Sequence, residues 1–236
     1  VNNVRTVSDT KRTFYTLHSR PINTIYRRVV EELMVEMHLL SVNVDFNYNP
    51  IYALGVVTTF ERFMAGYQPE QDKESIFNSL LKAVEVNPDT YQQDAQRLQA
   101  VANDLPIADL ISWLSQSTHL DRDTELQNTL QAIANNSNFK YSRLFAIGLY
   151  SLLESADPEF VKDEKQLNET LKTIGDGLSI SDDKLTKDLE LYRSNLDKMT
   201  QALIVMADMV AADRKKREQR NQTSDSAAVP PPSENE

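Results

Sequence analysis

From Ser181 to Arg220 the chain contains neither Gly nor Pro. Along it Leu185, Leu189, Tyr192, Leu196, Met199, Leu203, Met206 and Val210 recur at alternating steps of four and three residues. That alternation is the 3.5-residue repeat of a coiled-coil seam. Ser181, Asp182 and Asp183 suit the positive end of a helix, although Ser181 with Lys184 forms only half a capping box. About 40 helical residues make a rod of roughly 60 Å. A compact body of about 180 residues is only some 30–40 Å across. Part of the helix is therefore expected to project beyond the body, and a fold containing such a rod is helical at least at its end.

The rest of the chain extends that conclusion to an all-α fold. It has 5 Gly in 236 residues, and its Pro residues before the tail stand at 21, 50, 69, 88, 106 and 158. Sheet folds need more frequent turn punctuation. Ser8 or Asp9 is expected to cap a short helix to His18, ended by Arg20-Pro21. An amphipathic helix over 22–42 follows, striped by Ile22, Ile25 or Tyr26, Val29, Leu33, Met37 and Leu40, with Arg27/Glu31 and Arg28/Glu32 paired on the wet side. Asn49-Pro50 and Asn87-Pro88 each place a capping amide before a Pro at the first helical position. They open helices over 50–65, closed by Gly66, and 88–103, with another over 71–86 between them. Further helices are predicted from Pro106, over 123–134, over 141–155 and over 163–174. The segment 141–155 is apolar on nearly every face, as a central buried helix is, and Gly148 in it reads as a close helix crossing. The Pro spacing looks periodic, but the intervening sequences do not match, so it is helix punctuation rather than a solenoid repeat. The domains read as an N-terminal arm at 1–7, a compact multi-helix body at 8–178, a long helix at 181–220, and a tail at 221–236 too poor in apolar residues to order itself.

Composition removes many chemistries. The chain has no Cys, which excludes disulfides, thiolate nucleophiles and cysteine metal sites. Its net charge of −10 argues against nucleic acid as a partner. The charge is uneven: residues 1–30 hold six cations against Asp9 alone. No uninterrupted apolar run approaches the ~18 residues of a membrane span, and no secretory apolar segment or transit peptide is recognisable, so the chain reads as soluble and made where it works. His18, His38 and His119 lack metal-ligand neighbours at helical spacing. The run from Asp121 to Glu125 begins like a calcium loop, but Leu126 stands where Gly is needed and Ala132 where Glu is needed. A capped helix start explains it better. Glu31, Glu32 and Glu36 are read as solvated charges with arginines beside them. There is no Gly-rich phosphate loop and no Gly-x-Ser-x-Gly elbow. No catalytic, cofactor-binding or metal-ligating residue is assigned.

Two surfaces remain. Beyond the body, the seam residues Leu196, Met199, Leu203, Met206 and Val210 would be an exposed apolar line that implies a partner or a second copy. The cluster Arg214, Lys215, Lys216 and Arg217 offsets the helix dipole. With the apolar run 203–212 before it, the cluster could also anchor the chain on anionic lipid.

Longer stretches carry a resemblance. Thr6-Val7-Ser8-Asp9-Thr10-Lys11-Arg12-Thr13-Phe14, His18-Ser19-Arg20-Pro21-Ile22-Asn23 and Tyr26-Arg27-Arg28-Val29-Val30-Glu31-Glu32-Leu33 resemble the N-terminal block of the thylakoid formation protein family. Gly55-Val56-Val57, Phe60, Phe63-Met64 and Gly66-Tyr67-Gln68-Pro69 are similar to its second block, and the likeness covers about residues 4–215. The resemblance implies an all-helical, non-enzymatic protein without cofactors, peripheral to the cytoplasmic face of a cyanobacterial thylakoid. It implies a role in photosystem II biogenesis and repair through the membrane FtsH protease complex, with photosystem II components as further partners. It leaves the oligomeric state open and carries no catalytic residues over.

Overall fold

The computed structural model describes residues 4–226, and side chains through Asn221. It contains helices and connecting turns, with no strand among the described residues. The helices are α1 (Val7–Leu17), α2 (Thr24–Ser41), α3 (Pro50–Phe63), α4 (Asp72–Ala83), α5 (Pro88–Asp104), α6 (Ile107–Leu114), α7 (Thr124–Ala134), α8 (Arg143–Ala156), α9 (Glu164–Leu178) and α10 (Asp182–Ser226). A short 3-10 turn, Phe160–Lys162, joins α8 to α9. The chain falls into two units, Val1–Arg193 and Ser194–Glu236, and the junction lies inside α10.

Local chemistry sets the helix starts. Asn49, Asn87 and Asp123 cap α3, α5 and α7 by accepting from backbone N–H groups of the first turn, and Pro stands at the opening of α3 and α5. The cap of α1 is Thr6 rather than Ser8 or Asp9. Thr6 Oγ1 accepts from the Asp9 N–H while the Asp9 carboxylate accepts from the Thr6 N–H, a reciprocal capping box. Helix α9 runs four residues past Ile174 and stops at Ser179, which takes the left-handed conformation at φ 57°.

In the first unit α3 and α8 form the centre. Residues 51–60 of α3 are all buried, as are residues 144–153 of α8. The two helices cross at glycines. A Cβ on Gly148 would lie 2.0 Å from the carbonyl oxygen of Ile51, and one on Gly55 would lie 1.7 Å from that of Leu144. Removing both Cβ atoms lets the backbones meet directly. Thr58 and Ser151 share a hydrogen bond of 3.1 Å across the same crossing. Helix α5 packs on both central helices, and α1 packs on α2 and α4. The lone Trp113 is buried on α6 and donates to Gln127 of α7 at 3.0 Å.

Helix α10 starts inside this unit. Leu185, Leu189 and Tyr192 are buried, and the Tyr192 ring meets those of Phe63 and Tyr150. The Tyr141 hydroxyl donates to Asp188 at 2.6 Å. The first heptads of the seam are thus core. Helix α10 then continues to Ser226, past Arg220, where the sequence pattern placed its end; the remaining tail, from residue 227, lies outside the described residues.

Candidate functional site

The histidines and the Asp123 carboxylate have structural roles. His18 Nδ1 lies 3.0 Å from Ser75 Oγ, His38 Nδ1 lies 2.9 Å from Thr10 Oγ1, and His119 Nδ1 lies 2.9 Å from the side-chain amide of Gln127. Each ring ties its segment to a neighbouring element, and burial pushes the His18 imidazole below its ordinary range. Asp123 is the α7 cap and also an Arg97 partner, with Arg97 Nε donating at 2.8 Å. No group of His, Asp or Glu suited to a metal ion occurs among the described residues.

The three glutamates of α2 have separate partners. Glu31 accepts from the Tyr15 hydroxyl at 2.6 Å and pairs with Lys11 at 3.3 Å, rather than with Arg27. Glu32 pairs with Arg28 at 2.9 Å, and Glu36 with Arg143 at 2.6 Å. The Tyr15 hydroxyl holds the Glu31 carboxyl below its usual range, while burial and Glu31 push Tyr15 up to about 12. Such mutual pairing fixes α1 and α8 on α2 and leaves no carboxylate poised as a base. A polar cavity of about 360 Å³ between α3, α5 and α8 has Thr58 and Ser151 in its lining and the Arg62–Glu154 pair, 2.7 Å, beside them. Burial raises the Glu61 carboxyl there, but no histidine lines the cavity to complete a nucleophile–base set.

The second unit is different in kind. Along α10 the seam continues past Arg193, but its environment changes. Leu196, Met199, Leu203 and Met206 are half-buried, and Val210 is 68% exposed. Ile204, Val205 and Met209 are 56%, 52% and 64% exposed. They lie off the seam, so apolar side chains face solvent on more than one side of the helix. The sequence pattern groups all three in the apolar run 203–212, interrupted by Asp208, but the a/d spacing does not single them out. Of the basic cluster, Arg214 pairs with Glu218 at 2.9 Å, while Lys215, Lys216 and Arg217 are exposed and form no ion pair among the described residues. No helix among the described residues is long and apolar enough to cross a membrane.

These features define an all-helical protein whose distinctive surface is one long, partly bare helix. Its residues 6–221 match the Thylakoid formation protein family, and the chain belongs to that family. It is 75% identical to Protein Thf1 of Nostoc punctiforme over the full length of both chains. Against Protein Thf1 of Crocosphaera subtropica it is 59% identical over 217 residues, 92% of this chain and 88% of that one. The solved structure of Psb29 superposes with a TM-score of 0.78 at 46% identity, covering 91% of this chain and 99% of its own.

Proposed function

We propose that the chain is a non-catalytic helical adaptor in photosystem II biogenesis and repair and in thylakoid organisation. It acts by binding and maintaining the membrane FtsH protease complex, and photosystem II components are secondary partners. Family membership supports the setting. The observation that carries the adaptor mode is the unfinished seam. One apolar repeat runs unbroken from Leu185 to Val210, yet its members pass from buried at Tyr192 to 68% exposed at Val210. A helical seam of that kind is how one helix recognises the apolar face or groove of another protein. Leu196, Met199, Leu203, Met206 and Val210 are the contact residues in this reading.

The test is capture of FtsH by the tagged protein from mildly solubilised cyanobacterial thylakoid membranes, at low and at moderate salt. An apolar contact survives moderate salt, whereas a contact through the basic residues of the first thirty would weaken. Leu203→Asp with Met206→Asp should leave helicity nearly unchanged and lower capture at least tenfold, the loss of about one hot spot. Undiminished capture by the double variant, or no FtsH with the parent protein, overturns the reading. A collapse of helicity in the variant would show the seam to be core instead.

A further inference from the structure

A second stripe runs along α10, separate from the seam. Lys198, Ala202, Val205, Met209, Ala212 and Lys216 follow one another at steps of four and three. At 3.6 residues per turn they share one side of the helix, centred about 120° around from the seam. The stripe has an apolar middle and a lysine at each end, spaced about 27 Å apart along the axis. Val205 and Met209 are more than half exposed, and Lys198, Ala212 and Lys216 are exposed. Lys198 and Lys216 form no ion pair among the described residues, nor do Lys215 and Arg217 beside the second end. Arg214, by contrast, is engaged by Glu218.

The order of residues restricts what can cover this stripe. Antiparallel pairing with a second copy, centred at residue 207, would set Lys198 against Lys216, Ala202 against Ala212 and Val205 against Met209. Parallel pairing would set each lysine on itself. Either arrangement brings like charges together at both ends, which disfavours self-association. What fits instead is a surface that is negative along about 27 Å and accepts apolar groups between the charges.

We propose that this stripe lays α10 along an anionic lipid surface, in the plane of the headgroups. Val205 and Met209 enter the boundary between headgroups and acyl chains, and Lys198 and Lys216, with Lys215 flanking the second end, pair with lipid phosphate or sulfonate groups. Two large apolar side chains make only a weak anchor, so the charges are required and binding is reversible. This site goes beyond the adaptor reading and does not depend on it, because the seam faces another direction and stays available to a protein while the stripe is on lipid.

The test is flotation of the full chain with vesicles of phosphatidylcholine alone or mixed with phosphatidylglycerol, at low and at physiological salt. The protein should float only with the anionic vesicles and release as salt rises. Lys198→Gln with Lys216→Gln should lower the partition about thirtyfold, each lysine near the surface contributing roughly fivefold. Val205→Asp with Met209→Asp should abolish flotation while circular dichroism keeps the helical signal. Leu203→Gln with Met206→Gln, which alters the seam without changing charge, should float normally, so that this proposal and the adaptor reading fail separately. Equal binding to neutral vesicles, no binding to anionic ones, or lysine variants that float like the parent would each overturn the lipid assignment. So would a Val205/Met209 variant that floats normally but loses a captured protein, since the stripe would then be a protein-docking face.

Discussion

Replacing Gly148 with Ala tests the crossing on which the first unit is built. The added Cβ would stand 2.0 Å from the Ile51 carbonyl oxygen. Carbon settles no closer than about 3.3–3.6 Å to such an oxygen, so α3 and α8 must part by roughly 1 Å or more. A gap of about 0.5–1 Å forfeits a quarter to a half of the attraction between the atoms facing it. Leu54 and Leu144, both fully buried, flank the contact. Losing a quarter of the contacts of two such side chains costs about 3–4 kcal/mol, and replacing a helical Gly with Ala returns about 1 kcal/mol. The net loss is about 2–3 kcal/mol, which lowers the melting temperature of a chain this size by roughly 5–10 °C. Gly55 faces the same contact, its added Cβ being 1.7 Å from the Leu144 carbonyl oxygen. Once one alanine has separated the helices the second has less to displace, so the double variant should lose clearly less than the two singles together. The assay is thermal and urea unfolding followed by far-ultraviolet circular dichroism, with Gly66→Ala, at an exposed glycine of ordinary φ, as the control. A neutral or stabilising Gly148→Ala, or strict additivity with Gly55→Ala, would refute the close crossing.

Two further perturbations probe the edges of that unit. His18 is 2% exposed and its Nε2 has no hydrogen-bond partner among the described residues, with burial holding the imidazole below its ordinary range and Asp72 partly opposing. The unfolded chain therefore binds this proton more readily, so the contribution is complete above the unfolded value of about 6.5 and shrinks as pH falls below it, until the folded ring also protonates. His18→Gln should flatten the pH dependence of unfolding free energy in that acid window, by at most about 1.4 kcal/mol per pH unit; an unchanged slope would remove His18 as the source. Asp123 both caps α7 and receives Arg97, so Asp123→Ala should cost about 2 kcal/mol, about half from the cap and half from the partly exposed pair. Asp123→Asn keeps a capping oxygen and should lose about half as much in urea titrations, and equal losses would mean the cap contributes nothing.

What could be read from the sequence was whatever short-range chemistry decides alone. Asn49-Pro50, Asn87-Pro88 and Asp123 were legible because a capping side chain and its backbone donor lie within three residues of each other. The all-round apolar character of α8 announced its central place, and Gly148 announced a crossing. The other glycines misled, because a glycine can be present for a turn or for the space it leaves empty. Gly66 looked like a stop, yet no glycine takes a positive φ. The sequence pattern placed α9 over 163–174, yet the helix continues through Gly175 and Gly177, which leave room for neighbouring backbone. A Cβ on Gly177 would lie 2.1 Å from the Ser115 carbonyl oxygen, and the helix ends instead at Ser179. Thr6 was missed because Ser8 and Asp9 are equally good caps in isolation, and only the reciprocal bond to Asp9 selects it.

The same limit governs the surface of α10. An apolar residue at seam spacing has the same local signature whether it fills a core or awaits a partner, so the repeat reads identically at Tyr192, which is 3% exposed, and at Val210, which is 68% exposed. What separates them is tertiary: rings from α3 and α8 reach Tyr192. Seam spacing also hides the second stripe, since any run apolar on all faces contains more than one such line. The line that matters is the one whose ends carry charge without partners. Exposure and ion pairing, which only the folded chain reveals, select Lys198 and Lys216 and set aside Arg214. A helix with two such lines can hold a protein on one side and a charged surface on another, which a single seam cannot do.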